Sequence, residues 1–493
     1  MMTRHFTIAA LLSFACLPSM AQDVVATDLY EAPPVVYSLD LRDFVHSNAS
    51  SSSQTKIRRY IEGENPVVSF EDRITNLPDY LHIFIKKYRE ATQEVLNGGT
   101  NWLSDPTKGE KNGNIYYFPL KEISCSASFT YEIGATSNEI KQAAIDATEA
   151  IIKPETDSLS SFMPYAFLSV NFDCPEAFWI GNSIQYGKTG TQYSWTYDNG
   201  EGTVTCKTAL MFILHTSNFD VRINGGVGYD FTSPTNIASS VNRFHSQIQT
   251  ILEQSQSNSW YWRLLKAHDW LTTHNSYNRP FYRGMGPDMI GELPWSPLSA
   301  LEGKTDSQAP VCEGYARALK VLCDEMGIPC ILMTGYAWAK PEDTTPADHM
   351  WNYVQMEDGN WYSVDPTWDD PFDGKTTKAI SGDETHKWFL VGSDTELATD
   401  WTYDDSHFEN WRNSYPNKGP WGWNIVQGPV ISTQSYPGPY DPSKDGITDW
   451  EDIQLMAEKI VNDNNDLLDI DDNGRVSIGD LVRLINYYLS HPQ

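Results

Sequence analysis

The stretch PVCEGYARALKVLC, residues 310–323, constrains the fold more than any other part of the chain. Apolar side chains fall at Tyr315, Ala316, Leu319, Leu322, Cys323 and Met326, the spacing of one helix face. Pro310 suits the first helical position, and Gly327 with Pro329 just beyond it supplies a stop. The spacing therefore predicts a helix that starts beside Cys312 and ends at Gly327. Three strand-like runs follow it: CILMTGYAWA, DHMWNYVQM and WYSVDPTW. Helices feeding into an antiparallel sheet predict an α+β fold.

The ends of that helix separate its two thiols. Cys312 lies in the first turn, where unpaired backbone N–H groups and the positive end of the helix dipole favour a thiolate. Cys323 lies in the last turn on the apolar face, where the same dipole opposes ionisation. A thiolate used in catalysis needs a base, and the base needs an orienting group. His349 opens one strand run and Asp365 closes the next, with Glu357-Asp358-Gly359-Asn360 between them. A two-residue turn at Asp358-Gly359 would set Asp365 opposite Asn352, on the face away from His349. A three-residue loop with Gly359 left-handed instead pairs Met356 with Asn360. Asp365 then faces Trp351, with His349 as its diagonal same-face neighbour, within side-chain reach. The second register is the one expected.

VCEGYA, DHMWNYV and WYSVDPTW, in that order and at these spacings, resemble the catalytic core of the transglutaminase-like superfamily. The likeness is close over residues 309–368 and looser back through DCPEAFWIG and LKAHDWLTTHNSY. It implies a papain-like core, with the Cys-bearing helix packed on an antiparallel sheet. It further implies that Cys312 is the nucleophile on a carboxamide or peptide carbonyl, His349 the base and then acid, and Asp365 the residue fixing the imidazole. The backbone N–H of Cys312 would contribute to an oxyanion hole, with Gln308 and Trp295 as upstream candidates for its side chain.

The remaining chain is read more coarsely. Arg4 and His5 followed by TIAALLSFACLP and then SMAQ give the pattern of a secretory signal peptide over residues 1–21. The protein is thus expected to be secreted, periplasmic or at the cell surface. A lipid anchor on Cys16 is disfavoured because Ser13 stands where an aliphatic residue is wanted. No later run reaches the ~20 apolar residues of a membrane-spanning helix. With 65 acidic against 35 basic residues and a formal charge of −30, the chain would repel phosphate backbones, so nucleic acid is not an expected partner. Residues 22–135 receive no function, although DYLHIFIKKYREATQEVLNG reads as a helix. NEIKQAAIDATEAII, ASSVNRFHSQIQTILEQ and WYWRLLKAHDWLTTH read as helices, and TVTCKTALMFIL as a strand. Residues 136–413 are assigned to the transglutaminase-like domain, with its core at 260–413. Cys323 and Cys330 are expected in the core, while Cys125, Cys174 and Cys206 are open to disulfide pairing.

A linker rich in Pro, Gly, Ser and Tyr, residues 414–440, precedes a compact all-α module at 441–493. DPSKDGITDWED and DIDDNGRVSIGD align with each other and carry oxygen-bearing side chains at loop positions 1, 3, 5 and 12. These are Asp441, Ser443, Asp445 and Asp452, then Asp469, Asp471, Asn473 and Asp480, with Gly446 and Gly474 at the sharp turn. Such a set suits calcium. Each loop precedes an apolar-periodic helix. The duplicated loop-helix with Asp at position 12 resembles a type I dockerin, which implies docking onto a cohesin-type partner; Pro442 and Ser443 depart from the pattern in the first repeat. The expected protein is an exported cysteine enzyme acting on peptide or amide carbonyls, more by hydrolysis than by crosslinking, with structural calcium and no catalytic cofactor. The alternative is an inactive glycan- or peptide-binding protein, its 17 Trp and 26 Tyr lining a groove.

Overall fold

The computed structural model describes residues 26–40, 69–98, 115–216, 231, 234–257, 259–279, 293–305, 308–370, 386–409, 426, 428–443, 448–462 and 469–490. The segment read as a signal peptide, the far end of the chain and Asp445 of the first acidic loop lie outside these residues.

Two antiparallel sheets organise the described residues. The larger has six strands: β1 (Ala26–Ala32), β2 (Val35–Asp40), β3 (Ile115–Thr130), β4 (Ile180–Lys188), β5 (Thr191–Asp198) and β6 (Glu201–Thr216). The 16-residue β6 is its axis. One edge pairs with β3 along its length; the other pairs with β5 in its first half and β4 in its second. β1 and β2 then flank β5 and β4. The sheet thus draws strands from both sides of residue 135. Cys125 stands directly across from Cys206 in the β3–β6 register, and the two form a disulfide, while Cys174, Cys323 and Cys330 are free and buried.

Against this sheet lie α1 (Asp79–Leu96) and α2 (Ser137–Asp173). α2 opens on a capping box in which the Thr136 N–H donates to Glu139 Oε2 at 2.7 Å. The amphipathic pattern expected to end at Ile152 instead continues through Pro154 and Pro164 to Asp173. Each proline removes a helical N–H. The burial of Leu159, Met163 and residues 165–168 offsets that loss, so packing overrides local propensity.

The second sheet has four strands in the order β12-β7-β8-β9: β7 (Cys330–Ala337), β8 (Ala347–Gln355), β9 (Trp361–Val364) and β12 (His407–Glu409). The short hairpin β10 (Glu396–Ala398) and β11 (Trp401–Thr402) precedes β12. Beyond α3 (Pro234–Gln254) and α4 (Trp260–His274), α5 (Cys312–Met326) packs on β7, β8 and α4. Asn352 of β8 donates its amide to Ala316 O at 2.9 Å, locking helix to sheet. The sequence suggests one apolar face for α5, yet every residue from Cys312 to Cys323 is buried. Its polar side chains are paired: Arg317 Nε donates to Glu313 at 2.8 Å and Nη1 to Asn171 O at 2.8 Å, reaching back to α2. Mixed helices and sheets around this core agree with the α+β expectation.

Part of the stretch read as a linker is packed: Ser432 N donates to Trp361 O, Tyr436 N to Leu390 O, and Ile431 is buried. Beyond it, α6 (Trp450–Val461) and α7 (Ile478–Ser490) share a small core of Ile453, Met456, Ile470 and Leu484. Asp472 ties this pair to α4 by an ion pair with Lys266, and accepts from Ser257 Oγ, just ahead of that helix, at 2.8 Å.

Candidate active site

The helix begins two residues beyond Pro310, which is therefore not its first residue, and Cys312 lies in the first turn as expected. Val311 is extended, Cys312 is the first residue of α5, and Gly327 closes the helix in the left-handed conformation at φ +70°. Gly314 has a steric reason in the Cys-x-Gly pattern. A Cβ there would sit 2.5 Å from Pro294 O, so glycine allows the turn at Leu293–Trp295 to press onto the first helical turn. Val311 N donates to the same Pro294 carbonyl at 3.0 Å. Cys312 is only 6 % exposed.

The β8–β9 hairpin has the three-residue loop. Met356 N donates to Asn360 O at 3.1 Å, Gly359 is left-handed at φ +80°, and Asn352 pairs with Val364. One further step along that register sets Asp365 across from Trp351, diagonal to His349. The diagonal closes: His349 Nε2 lies 2.6 Å from Asp365 Oδ2, with both side chains buried. The other carboxylate oxygen, Oδ1, accepts from Thr367 N at 3.0 Å and Trp368 N at 3.4 Å. The Asp-Pro-Thr-Trp turn therefore aims one oxygen at the imidazole by anchoring the other to the backbone. Trp368 stacks on the His349 ring at 4.8 Å, and Trp351 lies on it at 5.8 Å.

These contacts set the charges. Burial by itself pushes the His349 pKa down, but the Asp365 carboxylate, and then a hydrogen bond and charge interaction with the Cys312 thiol, raise it to about 10. Burial pushes Asp365 up, but His349 and His407 hold it well below the usual carboxylate range. With Nε2 engaged by Asp365, Nδ1 is the ring nitrogen left for the thiol. The arrangement sets an imidazole between a carboxylate and a thiol at a helix N-terminus.

Two features lay beyond sequence reasoning. His407 Nε2 sits 3.4 Å from Asp365 Oδ2 while its Nδ1 lies 2.7 Å from Ser406 Oγ, so a second buried histidine supports the carboxylate. No local motif marks it; the pairing of β12 with β7 brings it in across 42 residues of sequence. The second is a cluster of His268, Asp269, Asp369 and His386, with Asp369 held by the backbone N–H of Trp388. Of the oxyanion-hole candidates, Trp295 ends the turn packed on α5, and Gln308 offers its backbone carbonyl to Ser299 Oγ at 2.6 Å.

In the acidic loops, carboxylate oxygens of Asp469, Asp471 and Asp480 gather within 4.8 Å of one another. Gly474 is left-handed at φ +84°. In the first loop, Ser443 Oγ donates to Asp441 at 3.0 Å and Ser443 N to Asp452 at 2.8 Å. Asn473 donates through its side chain to Asp471.

Residues 249–366 match the family model of the transglutaminase-like superfamily. The chain carries a transglutaminase-like domain. The superfamily includes cysteine peptidases and transglutaminases. Kyphoscoliosis peptidase of Mus musculus is 30 % identical over 90 residues, 17 % of this chain and 14 % of that protein. The Homo sapiens kyphoscoliosis peptidase is 34 % identical over 67 residues, 13 % of this chain and 10 % of the human protein. The chain thus spans a small fraction of those relatives. Among solved structures, one described as a TGase aligns over 53 % of this chain and 55 % of its own at 13 % identity and a TM-score of 0.22. A putative cysteine protease from Cytophaga hutchinsonii aligns over 39 % of this chain and 63 % of its own, at 16 % identity and a TM-score of 0.19. Among the described residues, no helix is long and apolar enough to cross a membrane.

Proposed function

We propose that this protein is an exported cysteine enzyme that cleaves or transfers acyl groups at peptide or amide carbonyls, with Cys312, His349 and Asp365 as its catalytic residues. The observation that carries the reading is the 2.6 Å His349–Asp365 contact on an imidazole that also interacts with the Cys312 thiol. In the first half-reaction the Cys312 proton passes to His349, and the thiolate sulfur forms a bond to the substrate carbonyl carbon. The helix-terminal N–H of Cys312 faces the charge that develops on the carbonyl oxygen. Collapse breaks the C–N bond as His349 gives its proton to the leaving amine. In the second half-reaction a water or an amine attacks the thioester carbonyl carbon as His349 takes its proton, the C–S bond breaks, and the proton returns to the sulfur. Hydrolysis is the preferred outcome, by analogy with the peptidases of the superfamily.

The C-terminal loops fit a hard cation. Asp469, Asp471, Asn473 and Asp480 would hold calcium in the second loop, and Asp441, Ser443, Asp445 and Asp452 in the first. Burial above all, with Asp471 and Asp480 nearby, pushes the Asp469 carboxyl up, as expected where acids gather around a cation's place. When bound, calcium supplies charge neutralisation and rigidity to these loops. The module is then a dockerin-like anchor for a cohesin-type partner, in keeping with a secreted, periplasmic or cell-surface enzyme.

The test is thiol reactivity. Iodoacetamide at mildly acidic pH should label Cys312 much faster than Cys174, Cys323 or Cys330, and His349→Ala should remove that advantage. Labelling of Cys312 no faster than a model thiol would overturn the proposal.

A further inference from the structure

Outside the Cys312 site, two imidazoles converge on one carboxylate. His268 and its neighbour Asp269 belong to α4, and His386 comes from the stretch that leads toward β10. His268 Nδ1 lies 3.2 Å from Asp269 Oδ1, and His386 Nε2 lies 2.6 Å from the same oxygen. One ligand atom from each residue falls within 4.8 Å of the others.

The surroundings are graded from dry to wet. The His268 side chain is fully buried, whereas those of His386 and Asp269 are 36 % and 40 % exposed, so two of the three side chains are within reach of solvent. Behind His268, Nε2 stands 3.2 Å from Asp369 Oδ2, an ion-pair distance rather than an aligned hydrogen bond. Asp369 is itself held by Trp388 N, 3.1 Å from each of its oxygens. The nearby negative charge favours a proton on Nε2, which leaves the Nδ1 lone pair for a metal.

We propose that His268 Nδ1, the Asp269 carboxylate and His386 Nε2 bind a divalent transition-metal ion, zinc in the first instance. Two imidazoles and a carboxylate make a three-residue set with room for water as a fourth ligand. Imidazole nitrogens favour zinc over calcium or magnesium, whereas the Asp469 loop is an all-oxygen site. Entry of the ion widens the 2.6 Å His386–Asp269 contact to the ~3.3 Å spacing of tetrahedral ligands about 2.0–2.1 Å from a metal, and half-exposed His386 is free to make that move. The ion does no chemistry at Cys312. It pins α4 to residues 386–389, where Trp388 packs edge-on against Trp368 at 4.7 Å, and Trp368 is the ring stacked on His349.

The competing structure is a protonated His268 bridging Asp269 and Asp369 without metal. Calorimetric titration of the tag-free full chain with zinc chloride distinguishes the two. Saturating calcium fills the acidic loops, and a Cys312→Ala background removes the thiol as a ligand. The expected result is one zinc per chain, with affinity reduced roughly 10–100-fold or more by His386→Ala and by Asp269→Asn. Thermal unfolding should shift upward with zinc, not with magnesium, and the shift should vanish in His386→Ala. His386 lies at the surface, so circular dichroism of that variant should report an intact fold. Absence of zinc binding, or equal binding by the His386→Ala chain, overturns the proposal.

Discussion

Asp365 reaches His349 on a diagonal of the β8–β9 hairpin, Oδ2 to Nε2 at 2.6 Å, because three residues rather than two make the turn between their strands. A shift of one residue would have sent the two side chains to opposite faces of the sheet. Candidate chemistry on this chain therefore hangs on a loop, residues 357–359, that lies outside the site itself.

Asp365 is expected to orient and charge the imidazole rather than to take up a proton, since His349 and His407 keep it ionised against the effect of burial. Asp365→Asn should lower the rate on a peptide or amide substrate by roughly 10²–10⁴-fold with folding retained, the scale seen when such an orienting carboxylate loses its charge. A rate within twofold of the parent would remove Asp365 from the site.

Gly359 gives a second prediction. Its φ of +80° lies in the left-handed region, and no atom stands within 4 Å of a Cβ built there. Substitution is thus a backbone effect alone: Gly359→Val should destabilise by about 1–2 kcal/mol, and Gly359→Asn by less. Chemical denaturation of the three proteins checks the order, and equal stability of all three would mean that the turn is not left-handed in solution.

The parts legible in the sequence were those with local signals. Pro310 and Gly327 marked the ends of α5, and Gly359 marked the register, because each acts within a few residues of itself. His407 carried no such signal, since only the pairing of β12 with β7 brings it to Asp365. The same holds for the choice of Cys206 as the partner of Cys125, which follows from β3–β6 register. Residues 154–173 of α2 were hidden for the opposite reason: Pro154 and Pro164 are local stop signals that burial overrides. Burial of the polar residues from Glu313 to Lys320 was equally out of reach, because Asn171, which accepts from Arg317, lies 146 residues earlier.

Stability should decline as the solution turns alkaline. The folded pKa of His349 is raised from 6.5 to about 10, with Asp365 outweighing burial. A raised folded pKa adds stability that is complete below the unfolded value and lost as pH climbs through the folded one. Unfolding free energy should therefore fall between pH 6.5 and about 10. His349→Ala should make that fall shallower. Parallel curves for the two proteins would show that His349 is not coupled to Asp365 in solution.

The Cys125–Cys206 bridge closes a loop across the two longest strands, with a sequence separation of 81. Reduction should destabilise the β3–β6 sheet by roughly 3–5 kcal/mol, the entropy scale for a loop of that size. The double variant Cys125→Ala/Cys206→Ala should match the reduced protein in urea denaturation. A midpoint unchanged by reduction would mean the bond does not form.

Calcium removal tests the C-terminal loops. Asp471 is the cleanest probe. Asp480 also accepts backbone N–H groups of Ile470 at 3.0 Å and Ser477 at 2.8 Å, so its loss would unsettle the fold directly. The Asp471 carboxylate is engaged only near the surface, by Asn473 and by Arg483 at 3.3 Å. Chelation should open residues 448–490 to limited proteolysis while the Cys312 domain stays resistant. Asp471→Ala should weaken calcium binding roughly tenfold, the scale on which ligand charge tunes such loops. Arg483 and Lys266 bear on the outcome as well, because each neutralises an acid of this loop in the ion's absence. Proteolysis that is identical with and without calcium would show that these acids are only a solvated surface.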